Sequence, residues 1–195
     1  MTASSSALPR SQRADKLYYG VYPAMVRQVG DPQHPGEVRL VFPWFDPGME
    51  TEWCRVCNLY AGNGYGSFFH PEEGDEVLVA FILGDMRQPI VLGGLYNGQD
   101  KPPTTRSSSK DEKMFRTKAG HQITLDDTDG AQKVVIVDKT GNNKIVIDSV
   151  ANSIAITSSG KLTLTGQGIE IKSSAGIKIE ASATMDLKGS TINLN

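Results

Sequence analysis

The chain has 195 residues, enough for one or two domains, and a formal net charge of −2 from 20 basic and 22 acidic side chains, a balance that excludes binding to nucleic acid by bulk charge. The 20 glycines and 7% aromatic content suit a turn-rich β protein. No stretch combines helical apolar spacing with caps, and the longest apolar runs, such as Val77 to Leu83, are far too short to span a bilayer.

Residues 1–16 are rich in Ser, Ala and Arg without any period, and are expected to form a flexible arm. They lack the apolar core of a signal peptide, which implies synthesis in the cytoplasm. Structure is expected from Leu17 onward. Val21 to Gln28 and Glu37 to Phe42 read as strands, separated by the breakers Gly30-Asp31-Pro32 through Pro35-Gly36. Pro43 to Gly48 reads as a loop and Glu52 to Leu59 as a third strand. A glycine-dense loop, Ala61 to Gly66, leads to Ser67-Phe68-Phe69. Pro71 to Gly74 turns the chain into the apolar strand Asp75 to Leu83; Gly84 to Pro89 is a turn, and Ile90 to Tyr96 a further strand. Five or six strands with long loops between them predict a small closed barrel of OB type over residues 17–98.

The polar stretch 99–113, with paired prolines Pro102-Pro103, reads as a linker to a second β domain over 114–195. Ile123-Thr124-Leu125, Val134 to Val137 and Ile145-Val146-Ile147 each begin 11 residues apart, with turn residues at 126–130 and 140–143, and are expected to be hairpins. A repeat follows. Apolar-x-apolar triplets begin at Ile145, Ile154, Leu162, Ile169, Ile177, Met185 and Ile192, in steps of 9, 8, 7, 8, 8 and 7. Alternate side chains on a strand point to opposite faces, so each triplet buries its outer members. The predicted core is therefore Ile145, Ile147, Ile154, Ile156, Leu162, Leu164, Ile169, Ile171, Ile177, Ile179, Met185, Leu187, Ile192 and Leu194. One triplet cannot bury its face alone; stacking at about 4.8 Å per strand supplies partners. A one-chain solenoid satisfies this, and so do three chains wound about one axis. Three copies thicken an otherwise thin core, which favours a triple-stranded, intertwined homotrimeric β-helix.

Candidate reactive groups read as structural. Cys54 and Cys57 form a CxxC on a predicted strand, where positions three apart face opposite ways, so ordinary packed thiols are expected rather than a redox pair or a zinc site. Asp127, Asp129 and Gly130 share a fragment of a calcium loop but lack its other ligands, and suit a tight turn. Glu72-Glu73 beside His70 reads as an exposed rim loop, and Gly62 to Gly66 lacks the Lys-Ser/Thr of a phosphate loop. No catalytic, cofactor-binding or metal residue is assigned.

The residues Trp53, Arg55-Val56, Ala61-Gly62, Gly64-Tyr65-Gly66, Pro71, Gly74, Glu76-Val77, Val79, Phe81, Gly84-Asp85, Arg87, Pro89-Ile90, Gly93, Tyr96-Asn97 and Pro102-Pro103 resemble the OB domain of contractile-tail spike proteins. These are the phage baseplate assembly protein V family and the VgrG proteins of type VI secretion. Phe115 to Asp127 resembles the segment that opens their β-helix. The resemblance implies a non-enzymatic homotrimeric spike, assembled into a baseplate beneath the tube and driven through a target membrane on sheath contraction. The VgrG hub domain that precedes the barrel is absent here, so a separate hub protein is expected above it, contacted through Tyr65 and Phe68. No His-x-His tip motif occurs. A blunt end, formed by Ile192, Asn193, Leu194 and Asn195, is expected to carry a PAAR-like tip protein. The alternatives are a one-chain β-solenoid enzyme and an OB module binding glycan or oligonucleotide, for which Tyr18, Tyr19, Trp44 and Phe45 are the available aromatics.

Overall fold

Strict alternation along the first strands dictates a sheet with one dry face. In β1 (Val21–Gln28) Ala24 and Val26 are buried, and in β2 (Glu37–Phe42) Val38, Leu40 and Phe42 are buried. The same period recurs in β7 (Glu76–Phe81), where Val77, Val79 and Phe81 point inward. Cys54 of β4 (Cys54–Val56) and Val91 of β8 (Pro89–Gly94) complete the core. The computed structural model describes residues 17–193, so the predicted arm 1–16 and the predicted core and tip positions Leu194 and Asn195 lie outside the described residues. The chain divides into two units between Thr105 and Arg106.

In the first unit β1 pairs with β7, β7 with β8, β8 with β4, β4 with β2, and β2 again with β1, which closes a five-stranded barrel. All these pairings are antiparallel except β4–β8, where Arg55 lies beside Ile90 and Val56 beside Val91. Closure removes the unpaired edges an open sheet would present. The β1–β2 register slips between Val26 and Gln28, an irregularity of the kind that bends a strand around a barrel. Each large apolar side chain buried here contributes about 1.5–3 kcal/mol relative to exposure. At one end an aromatic plug covers the core. The Trp44 ring stacks on Tyr22 at 5.1 Å and its Nε1 donates to the Pro23 carbonyl at 2.9 Å, while Tyr18 and Phe42 approach from either side.

Several expectations need correction. The predicted loop Pro43 to Gly48 contains most of β3 (Asp46–Glu50), a ribbon extending β2 through Phe42–Asp46 and Val41–Glu50 pairs. The predicted strand Glu52 to Leu59 shrinks to the three residues of β4, because both of its neighbours pair only briefly. Leu83 is not strand: β7 ends at Phe81 and a single 3-10 turn, Ile82–Gly84, follows. Leu83 sits there at φ 52, with its side chain in solvent.

The second unit is an antiparallel meander of β9 (Glu112–Arg116), β10 (Gln122–Asp126), β11 (Lys133–Val137), β12 (Lys144–Asp148) and β13 (Ser153–Thr157), each strand pairing with the next. β9 begins inside the stretch read as linker. Asp138 organises the β11–β12 turn: its carboxylate accepts from the Thr140 hydroxyl at 2.8 Å and from Asn143 Nδ2 at 3.0 Å, which holds its pKa down at about 2. The first two triplets of the repeat are not separate levels of a stack. They pair with one another as a hairpin, Ile145 beside Ile156 and Ile147 beside Ile154. The turn between them is built by Asp148, whose Oδ1 accepts from the backbone of Val150 and Ala151 at 2.9 and 2.7 Å. After Thr157 the described chain joins no ladder.

Leu40 is fully buried, so Leu40→Ala is expected to destabilise the barrel by about 2–5 kcal/mol. Both tryptophans lie in the barrel, so tryptophan fluorescence during urea unfolding reads this unit, and an unchanged midpoint would contradict the assigned core.

Candidate interaction surfaces

The barrel presents one loop system rich in exposed aromatics. β5 (Ala61–Gly62) and β6 (Tyr65–Gly66), read from sequence as loop, form a miniature hairpin. Two glycines make it possible. A Cβ on Gly62 would lie 2.2 Å from Tyr65 Cζ, so the tyrosine ring needs that bare backbone to lie flat. Gly66 adopts φ +146, and a Cβ there would meet the Tyr60 carbonyl oxygen at 2.4 Å. The predicted hub-contact residues Tyr65 and Phe68 are both exposed. Tyr65 leans on Tyr60 at 5.3 Å and Phe68 stacks on His70 at 4.2 Å. Leu59 and Phe69 add to the exposed apolar surface. A shallow cleft, floored by Gly30, Gly36 and Gly64, brings the side chains of Tyr65 and Phe68 to one place.

The second unit carries a longer apolar surface. Cross-strand pairing aligns Phe115, Ile123, Ile136, Ile145 and Ile156 in one row over the five strands. Leu125, Val134, Ile147 and Ile154 form the row beside it. Beyond the meander the alternation continues through residues 158–193. All thirteen predicted core positions within the described residues are exposed in the single chain, Ile171 at 64% and Ile154 at 71%. Among the described residues no backbone–backbone hydrogen bond is made after Thr157.

Residues 22–96, most of the barrel, match the type VI secretion system/phage-baseplate injector OB domain family. The chain is also 34% identical over 116 residues to the actin cross-linking toxin VgrG1 of Vibrio cholerae serotype O1, covering 57% of this chain and 10% of that protein. It is 32% identical over 116 residues to the type VI secretion system spike protein VgrG4b of Pseudomonas aeruginosa (57% of this chain, 14% of that protein), and 30% identical over 110 residues to the spike protein VgrG3 of Vibrio cholerae (52% and 11%). The likeness to VgrG spike proteins, at 30–34% identity, extends over 52–57% of this chain, and the injector-domain match lies within the barrel. The chain spans only a small fraction, 10–14%, of the curated relatives it matches.

Within the barrel the other candidate groups take structural places. Cys54 is buried; Thr51 Oγ1 and its Sγ lie 3.2 Å apart, and burial pushes the thiol up to about 11. Cys57 corrects the expectation of two packed thiols: it lies past the end of β4 and is exposed. Burial lowers the pKa of His70, which fits its stacking on Phe68. The Glu72 backbone N–H donates to Asp75 Oδ2 at 2.8 Å and closes the predicted turn. In the meander Asp127 of the calcium fragment is paired with a cation of the chain itself, Lys113, whose Nζ lies 2.6 Å from Asp127 Oδ2 and 2.9 Å from Asp111 Oδ1. Trp44 and Tyr18 belong to the barrel plug, with Phe45 at its rim. The plug was missed from sequence, because its members lie far apart in the chain and share no period.

In the native protein Cys57 is expected to react with a disulfide reagent at about pH 8 while Cys54 reacts only on unfolding; Cys57→Ser should remove the fast phase. Since burial raises the Cys54 thiol from its ordinary value of 9.0 to about 11, its contribution to stability is intact below pH 9.0 and declines as pH rises toward about 11. Denaturation midpoints across that interval, compared with those of Cys54→Ala, check the sign.

Proposed function

We propose that this chain is the structural central spike of a contractile injection apparatus, built as a homotrimer whose C-terminal halves intertwine in a triple-stranded β-helix. One observation carries the reading. Residues 158–193 repeat apolar-x-apolar triplets whose apolar members are exposed and which, among the described residues, join no ladder. Exposed backbone and exposed Ile and Leu in the same stretch call for strands supplied from outside. Two further copies supply both at once. The fourteen outer triplet positions then become the trimer core; the first two triplets stay paired as a hairpin, and from Leu162 onward each level adds ladder bonds to copies above and below.

The family supports the setting. The relatives are named as spike proteins of type VI secretion, and the barrel family is described as an injector domain of that system and of phage baseplates. On this reading the spike is assembled in a baseplate below the tube. Sheath contraction drives it through the target envelope, and its work is mechanical, with no catalytic step. The aromatic loop around Tyr65 and Phe68 makes the contact to the hub, and Ile192, Asn193, Leu194 and Asn195 make the contact to a PAAR-like tip protein. Interlocking suits such a role, since peeling one strand breaks ladder bonds to two other chains at the same time.

Light scattering is expected to give about three times 21.1 kDa, with the oligomer surviving mild heating in detergent. Ile171→Asp places three carboxylates at one level of a dry core and should abolish that resistance; a heat-resistant trimer of this variant, or a stable wild-type monomer, would sink the intertwined spike. For the hub contact, Tyr65→Ala with Phe68→Ala should weaken co-purification with hub protein at least tenfold while leaving the barrel's urea midpoint within about 0.5 kcal/mol of wild type, as surface substitutions do. Unchanged co-purification would move the hub contact elsewhere on the barrel.

A further inference from the structure

Between Ile169 and Ile192 the repeat becomes regular. The sequence reads as three consecutive octads, IEIKSSAG, IKIEASAT and MDLKGSTI. Apolar residues hold the first and third places of each: Ile169 and Ile171, Ile177 and Ile179, Met185 and Leu187. The second and fourth places hold one acid and one base each, and their order flips from octad to octad: Glu170 with Lys172, Lys178 with Glu180, Asp186 with Lys188. In the structure Lys172 Nζ lies 2.7 Å from Glu170 Oε1, and Lys178 Nζ lies 2.7 Å from Glu180 Oε1. The two charged members of each of these octads therefore lie side by side, and all four are exposed.

We propose that these charged residues are a register code read by a second copy of the same chain, stacked one octad out of step. The inference rests on the trimeric-spike reading and specifies how its copies meet. In that register Glu170 faces Lys178 of the partner subunit, and Lys178 faces Asp186 of the partner subunit. The neighbouring file behaves alike: Lys172 faces Glu180 of the partner subunit, and Glu180 faces Lys188 of the partner subunit. Both files alternate in sign at every level.

Other registers fail on the same residues. Copies stacked level on level set Glu170 against itself and Lys172 against itself. A shift of two octads sets Glu170 against Asp186 and Lys172 against Lys188, again like on like. A one-chain coil with three strands per turn stacks Met185 on Leu162, which sets Asp186 beside Thr163, Glu170 beside Asn193 and Lys178 beside Ala155, so no charge of the file meets an opposite one. Strands wound from three symmetric copies, each passing to the next face after one octad, have neighbours one octad apart. Adjacent strands lie about 4.8 Å apart, well inside the Debye length of about 8 Å at physiological salt. An exposed ion pair adds little stability by itself, but like charges set directly opposite are unfavourable. The files therefore act by discrimination: they penalise wrong stacking at each level and around the three-fold axis.

Two variants separate pairing between copies from pairing within a strand. The triple variant Glu170→Lys, Lys178→Glu, Asp186→Lys makes every pair within a strand like-charged but restores alternation between copies. The double variant Lys178→Glu, Glu180→Lys keeps an opposite pair within its strand but turns one file wholly acidic and the other wholly basic. The triple variant is expected to remain trimeric and to melt close to wild type. The double variant should melt about 5–10 °C lower, with the gap narrowing in about 1 M salt. Barrel tryptophan fluorescence confirms that both variants are folded. The reverse order of stability would overturn the proposal and assign the pairs to single strands. Equal melting of both variants beside an intact wild-type trimer would overturn it too, leaving the spike reading in place. A monomeric wild type would remove both.

Discussion

Extended backbone carries a donor and an acceptor at nearly every residue, and these groups must find partners. The molecule depends on how that need is met along its length. In the first unit the strands meet it internally, because β2 returns to β1 and the sheet has no free edge. In the meander each strand is paired with its neighbour, and β9 and β13 remain as the outermost strands. Beyond β13 the described chain supplies no partner of its own. Internal satisfaction thus gives way to open valence from the first unit to the last residues described, and the proposed assembly is the continuation of that trend.

The two units also differ in where they place apolar side chains. The barrel turns Val38, Leu40, Phe42, Val77 and Val79 inward and covers one end with the Trp44 plug, so its core is complete in one chain. The meander has the same alternation with no second layer over its isoleucine face. A barrel closes over its own inner face; a flat meander needs something laid on it. The same chemistry, a strand with one apolar face, is therefore self-sufficient in the first unit and unsatisfied in the second.

Much of this was legible in advance. β1 and β2 were read with their observed limits, because alternation there is clean and glycine or proline bounds it. The hairpin turns at 126–130 and 140–143 were equally visible from their Asp, Asn and Gly residues. β3 was not, since Asp46-Pro47-Gly48 carries turn residues and its pairing is imposed by β2. The β5–β6 hairpin was hidden for a related reason: two-residue strands have no period, and only the fit of Tyr65 over Gly62 reveals them. The pairing of Ile145 with Ile156 was obscured by the repeat, which treats a hairpin and a stacked level alike.

By itself the sequence determined the all-β class, most barrel strands, the repeat of apolar triplets and the likeness to VgrG spikes, because period, turn chemistry and residue order are local and survive without coordinates. Only the tertiary structure decided how β4 joins β2 to β8 and closes the barrel, that Cys57 is exposed while Cys54 is buried, and that Lys113 occupies the acidic turn. It also decided which triplets are paired within the chain and which are left open. These outcomes hang on contacts between residues distant in the chain, where closure, burial and pairing compete for the same strands, and no local pattern carries the result.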